Sequence, residues 1–409
     1  MRILLLAPHP FFSQRGTPIA EKMLLEVLAA QGHEIEVLTF PEGEDPKIPN
    51  CRIIRVPAPA WTRGMRPGFS LKKLAGDAVM LGACLARVRR GRYDVVHAVE
   101  ESAFIALLCK WLFGVPYVYD MDSGLAQQMV DRFPVLARVR RLLDACERLA
   151  ICGSCGTLAV CGSLEEQARA CHPGGLVARL EDVSLLGDGE GRGRGGDPGL
   201  CPPEWRQDPK VLYVGNLQAY QGIDLLLAAF AHALSLVPRA RLVVVGGEAA
   251  EIACYRGEAE RLGIAGHVLF AGARPVESLG DCLRQADLLV SPRVHGTNTP
   301  MKVYSYLDSG RALVATRLPT HTQVLDDEVA LLVDPEPGPM GEGLARLLQD
   351  EVLRERLAAG ARRLARAEFT PEAFRRKLLA FYNAVAERIG EDANDGETAR
   401  LEARHPGPG

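Results

Sequence analysis

The chain has no apolar run long enough to cross a bilayer, no H-E-x-x-H, no G-x-S-x-G and no G-x-x-x-x-G-K-[ST]. Transmembrane anchoring and the chemistry of zinc proteases, serine hydrolases and P-loop nucleotidases therefore have no signature to stand on. The longest apolar stretch, Ala103 to Tyr119, is broken by Lys110, Gly114 and Pro116 and reads as a helix followed by a strand. The opening "MRILLLAP" offers five apolar residues before a proline, too few for a secretory signal. Charge of one sign is also missing: the net charge is −3, so neither nucleic acid nor an anionic surface is favoured globally, and no nucleic-acid partner is expected. Eleven cysteines, an odd number scattered over a long chain, argue for thiols in a reducing compartment and make the cytoplasm the expected location. "CGSC" at Cys152 to Cys155, with Cys161, Cys171 and His172, invites a zinc or redox reading, but no second C-x-x-C exists and no metal is expected.

What is present is enough apolar material for two cores. At 409 residues and 47% hydrophobic content, two domains are expected. Between Gly187 and Pro203, seven glycines and three prolines in seventeen residues mark a linker. The boundaries read as 1–186 for a first domain, 187–207 for the linker, 208–370 for a second domain, a helix over 371–390 and a disordered tail over 391–409. On both sides of the linker short apolar strands alternate with helical patterns. "RILLLAP", "EIEVLTF", "RIIRVP", "DVVHAV", "PYVYDMD" and "TLAVCG" come before it; "KVLYVG", "RLVVVGG", "HVLFAG", "DLLVSP", "RALVAT" and "VALLVD" come after. This rhythm predicts two α/β domains, each a doubly wound parallel sheet, with ligands beyond the carboxyl ends of the strands.

The second half resembles the nucleotide-sugar domain of the family 4 glycosyltransferases, which have the GT-B architecture of two facing Rossmann-like domains. The resemblance rests on "YVGNLQAYQGIDLLLAAF", "LVVVGG", "HVLFAGARPVESLGDCLRQADLLVSP" and "GTNTPMKVYSYLDSGRALVAT", in order and at family spacing. In the first half "PHPFFSQRGTPIAEKMLLEVLAAQGHEIEVLT" and "YDVVHAV" match more loosely, for a coverage of roughly residues 1 to 385. The resemblance implies transfer of a sugar from a nucleotide diphosphate donor to an acceptor hydroxyl, commonly with retained configuration and without a required metal. The donor is a substrate, and no cofactor is implied. Departure of a nucleoside diphosphate builds negative charge on its β-phosphate, so positioned hydrogen-bond donors supply most of the catalysis.

Departures from the family pattern fall on those donors. The family turn after the first strand of this half carries an Arg after the first glycine and a Lys before the second, where this chain has Asn216 and Gln221 between Gly215 and Gly222. The helix that follows still offers its N-terminal N–H groups to an anion. Across the site, "SPRVHGTNTPMKVYSYLDSG" supplies Arg293 and Lys302, with Gly296, Thr297 and Asn298 able to aim further donors. The expectation is that Arg293 and Lys302 replace the lost pair. The alternative for Lys302 is a solvated residue in the first turn of a helix. Two family glutamates are also missing: the ribose position falls on Ser305, and the sugar position on His295 or Gly296. Ala273 and Arg274, after "VLFAG", are candidates for the base, with UDP and GDP both open. In the first half Gly16 and Thr17 of "RGTP" are donor candidates or a plain helix start. His97, Asp120 and Asp122 are catalytic candidates for orienting the acceptor or taking its proton, with a buried structural role for His97 and capping for the aspartates as alternatives.

From Cys51 to Arg92 ten Arg or Lys face one acidic residue, Asp77, and Trp61, Met65 and Phe69 lie among them. That composition reads as a surface for anionic lipid or as a solvated face. Taken with that resemblance, the residues imply a cytoplasmic glycosyltransferase, peripheral at the inner face of the membrane. Its expected donor is a UDP- or GDP-sugar and its expected acceptor a saccharide or lipid-linked molecule, in envelope polysaccharide or glycolipid assembly. A nucleotide-sugar epimerase of the same architecture and a non-catalytic sugar-nucleotide-binding partner are the rivals.

Overall fold

The computed structural model describes residues 1–13, 16–57, 71–186 and 200–404, with side chains to Glu391. Two compact units result: Met1–Glu181 with Arg375 onward, and Asp182–Phe374. Arg15, Arg63, Arg66, Trp61, Met65, Phe69 and the glycine-rich stretch 187–199 lie outside the described residues.

The first unit runs β1 (Arg2–Ala7), α1 (Gly16–Ala30), β2 (Glu34–Thr39), β3 (Cys51–Arg55), α2 (Leu71–Arg90), β4 (Val95–Val99), α3 (Ser102–Phe113), β5 (Tyr117–Met121) and α4 (Leu125–Arg132). A 3-10 segment (Pro134–Val139), α5 (Arg140–Gly153), β6 (Gly156–Ala159), α6 (Gly162–Cys171) and β7 (Val177–Arg179) complete it. Its seven strands are ordered β3-β2-β1-β4-β5-β6-β7, all parallel. Ile3 to Ala7 and Val95 to Val99 are fully buried, as expected for strands covered by helices on both faces.

The second unit repeats the plan with β8 (Lys210–Val214), α7 (Ile223–Leu236), β9 (Arg241–Val245), α8 (Ala249–Arg261), β10 (Val268–Gly272), α9 (Leu279–Arg284), β11 (Leu288–Ser291) and α10 (Lys302–Ser309). It ends with β12 (Ala312–Thr316), α11 (Pro319–Thr322), β13 (Leu331–Val333), α12 (Pro337–Gln349) and α13 (Glu351–Glu368). The last helix, α14 (Pro371–Arg404), begins here and is counted with the first unit from Arg375. The sheet order is β10-β9-β8-β11-β12-β13, again all parallel. One segment, Ala219–Leu236, is apolar enough to span a bilayer by composition, yet Ile223, Leu226, Leu227 and Phe230 are fully buried in the core of this unit.

In both sheets the order reverses between the first and fourth strands of the unit, β1/β4 and β8/β11. Ligands of such folds bind beyond the strand ends at that reversal. Three local differences from expectation follow from packing. The second unit begins before the glycine-rich stretch: Ser184 Oγ donates to Asp308 Oδ2 at 2.8 Å, and Leu186 packs on its core. Leu200 and Trp205, inside the expected linker, are buried in the same core. Helix α14 continues to Arg404, past the start of the expected tail at 391.

Candidate active site

The reversal in the second sheet is built by two loops that hold each other. After β8, Gly215 opens the turn and Gly222, with φ +74°, closes it at the start of α7. A side chain at Gly222 would drive into the carbonyl oxygen of Pro292 in the loop after β11, so only glycine allows this approach. Val294 N–H then donates to Tyr220 O at 3.0 Å and ties the loops together. Tyr213 OH donates to Asn216 O at 2.6 Å, fixing the turn from below. No side chain caps the first turn of α7.

Lys302 reaches this turn from the first residue of α10. Its Nζ donates to Gln221 Oε1 at 2.9 Å and lies 3.9 Å from the centroid of the Tyr213 ring. Burial, and then the neighbouring Arg293 guanidinium, push its proton affinity well below that of an ordinary lysine. The ring face compensates part of that cost when the amine is charged. The cation missing from the turn's own sequence is thus delivered to the Gln221 side chain by another element.

Arg293 behaves differently from the expectation of a second open cation. It is 7% exposed; its Nε donates to His295 O at 2.7 Å and its Nη2 to Asn298 Oδ1 at 2.8 Å. Its guanidinium lies 5.1 Å from the centroid of Tyr220. The loop therefore wraps around Arg293, and Gly296, at φ +112°, has no room for a side chain beside the guanidinium. His295, Gly296 and Thr297 are exposed, while the Asn298 oxygen is occupied by Arg293.

A buried relay absent from the sequence reading holds Arg293 from behind. Thr316 Oγ1 donates to Arg293 O at 2.6 Å, and His321 Nδ1 approaches both Thr316 O and Thr316 Oγ1 at 2.9 Å. His321 Nε2 meets Ser291 Oγ at 2.8 Å. Burial drives the His321 pKa down to about 3, which keeps the ring neutral, donating from Nδ1 and accepting at Nε2. Thr320 Oγ1 and Gln323 Nε2 donate to Asn298 O and Thr297 O, pinning the loop from α11.

Ser305 requires a correction. It is fully buried in α10 and its Oγ accepts the backbone N–H of Leu185 at 2.9 Å, so the hydroxyl expected on a ribose holds the incoming chain segment instead. Arg274 is exposed beyond the end of β10. Gly16 begins α1 with open space where a side chain would stand, and Thr17 follows it half-buried.

His97 also requires one. It sits in the middle of β4, fully buried, with Nε2 3.1 Å from Asp120 Oδ2 and Nδ1 2.8 Å from the Tyr382 hydroxyl on α14. Both nitrogens are engaged and none faces an open site, so His97 orients Asp120. Replacing it with Phe should strand the buried Tyr382 hydroxyl, at a cost of about 1–3 kcal/mol, and leave the half-buried Asp120 carboxylate to water; urea unfolding of the purified chain measures this. Asp120, next to last in β5, reaches the edge of solvent, and Asp122 lies half-buried just past the strand.

At the reversal of the first sheet the structure adds residues with no sequence motif. Glu100, just past β4, has φ +48°, and Ser123 Oγ donates to its Oε1 at 3.2 Å. Burial, reinforced by Glu101, raises its pKa. Beside it Lys73 pairs with Glu101, and His9 Nε2 meets the buried Glu21 at 2.8 Å. Of the ten cations between Cys51 and Arg92, Lys73, Arg55 and Arg87 are held in internal ion pairs, with Glu101, Asp45 and Glu36 respectively.

Two parallel α/β units, one with a cation delivered to a glycine turn at the sheet reversal, define an anion-binding fold of the Rossmann type. Comparison with known proteins makes the class specific. The Glycosyl transferases group 1 family matches residues 203–364, and the Glycosyl transferase 4-like domain matches residues 21–174. The D-inositol 3-phosphate glycosyltransferase of Segniliparus rotundus is 33% identical over 378 residues, covering 88% of this chain and 82% of that protein. The match to the phosphatidyl-myo-inositol mannosyltransferase of Mycobacterium tuberculosis is 30% identical over 190 residues, spanning 44% of this chain and about half, 48%, of the relative. In fold the chain resembles sucrose-phosphate synthase from Thermosynechococcus elongatus, with TM-score 0.75, 21% identity and coverage of 94% and 99%. The chain belongs to the group 1 glycosyl transferases, of the GT-B, family 4-like architecture.

Proposed function

We propose that this chain transfers a sugar from a UDP- or GDP-sugar to a hydroxyl of a saccharide or lipid-linked acceptor. In this reading the anomeric configuration is retained, no metal is required, and the product enters envelope polysaccharide or glycolipid at the cytoplasmic face of the membrane. One observation carries it: the Lys302 ammonium site at Gln221, over Tyr213, at the reversal of the second sheet. A nucleoside diphosphate there meets Lys302, the Asn216 side chain and the free N–H groups of α7. As the glycosidic bond breaks, charge grows on the β-phosphate where these donors converge, each contributing ~3 kcal/mol in comparable sites. The departing phosphate takes the acceptor proton. The named acceptors of the relatives make an inositol-bearing acceptor the first to try.

The test is a melting-temperature panel against UDP, GDP, ADP and their sugars, followed by donor turnover with and without lipid extract or inositol phosphates. Absence of stabilisation by every nucleotide would sink the reading. Turnover of donor without acceptor would favour an epimerase, and binding without turnover a non-catalytic partner.

Lys302 also sets a pH dependence. Its proton affinity is depressed in the free protein and rises when a diphosphate sits against it. Between those two values the complex holds more protons than the free chain, so binding takes up a proton and affinity falls as pH rises. Calorimetry in two buffers of different ionisation heat should register that uptake; an uptake of zero would mean that Lys302 is charged throughout or does not meet the phosphate.

A further inference from the structure

We propose that the exposed faces of α3 and α5 form a bilayer-docking surface for anionic lipid, separate from the basic stretch between Cys51 and Arg92. Nine of the twelve large apolar side chains exposed among the described residues lie on α3 or between Phe133 and Leu149. Such a concentration on one side of a unit marks an interaction surface. Trp111 is 67% exposed and Leu142 63%. The two helices pack together, and Lys110 Nζ at the end of α3 donates to Gly153 O at the end of α5 at 2.8 Å.

The sequence of α5 explains the pattern. Leu142 and Leu149 are seven residues apart, as are Arg141 and Arg148, so leucines and arginines form two neighbouring rows on the solvent side while Glu147, Ala150 and Ile151 face inward. Charge selects the occupant. From Phe104 to Leu149 six exposed cations (Lys110, Arg132, Arg138, Arg140, Arg141 and Arg148) face two exposed acids, Asp131 and Asp144, in a chain of net charge −3. Apolar rows flanked by arginines, with a tryptophan at the rim, match an interface with acyl chains below and anionic headgroups around. In the basic stretch between Cys51 and Arg92, Arg55, Lys73 and Arg87 are spent on internal ion pairs, as Arg140 is on Asp144 in α5.

The inference does not depend on the transfer chemistry, and its test reads binding alone. The full chain should co-sediment with vesicles of phosphatidylcholine and phosphatidylglycerol, and weakly with phosphatidylcholine alone. Leu142→Glu combined with Leu149→Glu should lower the partition coefficient at least about tenfold with the melting temperature unchanged. Quenching of tryptophan fluorescence by brominated lipid should fall in Trp111→Phe. Equal binding by the leucine variant, no preference for anionic vesicles, or release only by Arg89→Glu, Arg90→Glu and Arg92→Glu together would overturn the assignment. So would a change of oligomeric state in the leucine variant, which would make a second copy the occupant.

Discussion

Lys302→Met is expected to weaken UDP or GDP binding by about 100-fold, or ~2.8 kcal/mol, and to remove donor turnover, while the melting temperature of the free chain stays the same or rises. The loss follows from geometry: Lys302 Nζ is the cation that reaches the turn at Gln221, and Asn216 and Gln221 carry no charge to take its place. The unchanged stability follows from cost. In the free protein burial and Arg293 work against the ammonium, and Met fills a similar volume without that penalty. Titration calorimetry and a thermal melt on the same preparation check both halves. A large fall in apo stability with nucleotide affinity retained would make Lys302 a structural residue.

Arg293 should not behave as its twin. Its guanidinium holds His295 O and Asn298 Oδ1, and the Thr316 to His321 to Ser291 relay holds its own carbonyl segment. For a diphosphate bound as proposed, its charge should act as a field across the loop, and its loss should release the loop as well.

Twelve of the thirteen strands and their division into two doubly wound sheets were legible as short apolar runs, most of them closed by Gly, Pro or Asp; β7, three residues ending in Arg179, was not. Helix α2 was legible over Leu71–Arg90 for the same kind of reason, a long amphipathic run with arginines at its end. Helices α12 and α13 were not: α12 opens on Pro-Gly-Pro, and although Leu353, Leu357, Ala361 and Ala365 of α13 keep helical spacing, its five arginines diluted the signal. At the site the substitutions at Asn216 and Gln221 pointed to Lys302, because a turn that faces a diphosphate without cations needs one from elsewhere. Ser305 was misread because a slot in a motif fixes position along α10 and not what covers it; segment 184–186 does. His97 was misread for a similar reason, since its partner Tyr382 is 285 residues away. Thr316, His321 and Glu100 carried no local signal at all. They converge only through the strand orders β8-β11-β12 and β1-β4-β5.

The sharper consequence of that geometry is a rescue. If the cation's place matters and not the residue that carries it, then Gln221→Lys should restore to Lys302→Met most of what was lost. The Gln221 side chain already ends 2.9 Å from Lys302 Nζ, so a lysine grown from position 221 puts its ammonium within the same small volume above Tyr213. The double variant should bind UDP or GDP within about tenfold of the parent, recovering at least ~1.4 kcal/mol. Gln221→Lys alone should instead lower the stability of the free chain by about 1–2 kcal/mol, because it sets two ammonium groups at hydrogen-bond distance beside Arg293. This non-additivity is the signature of two positions serving one charge. A double variant that folds, melts like the parent and still binds no better than Lys302→Met would show that Lys302 acts through something other than its charge at the turn.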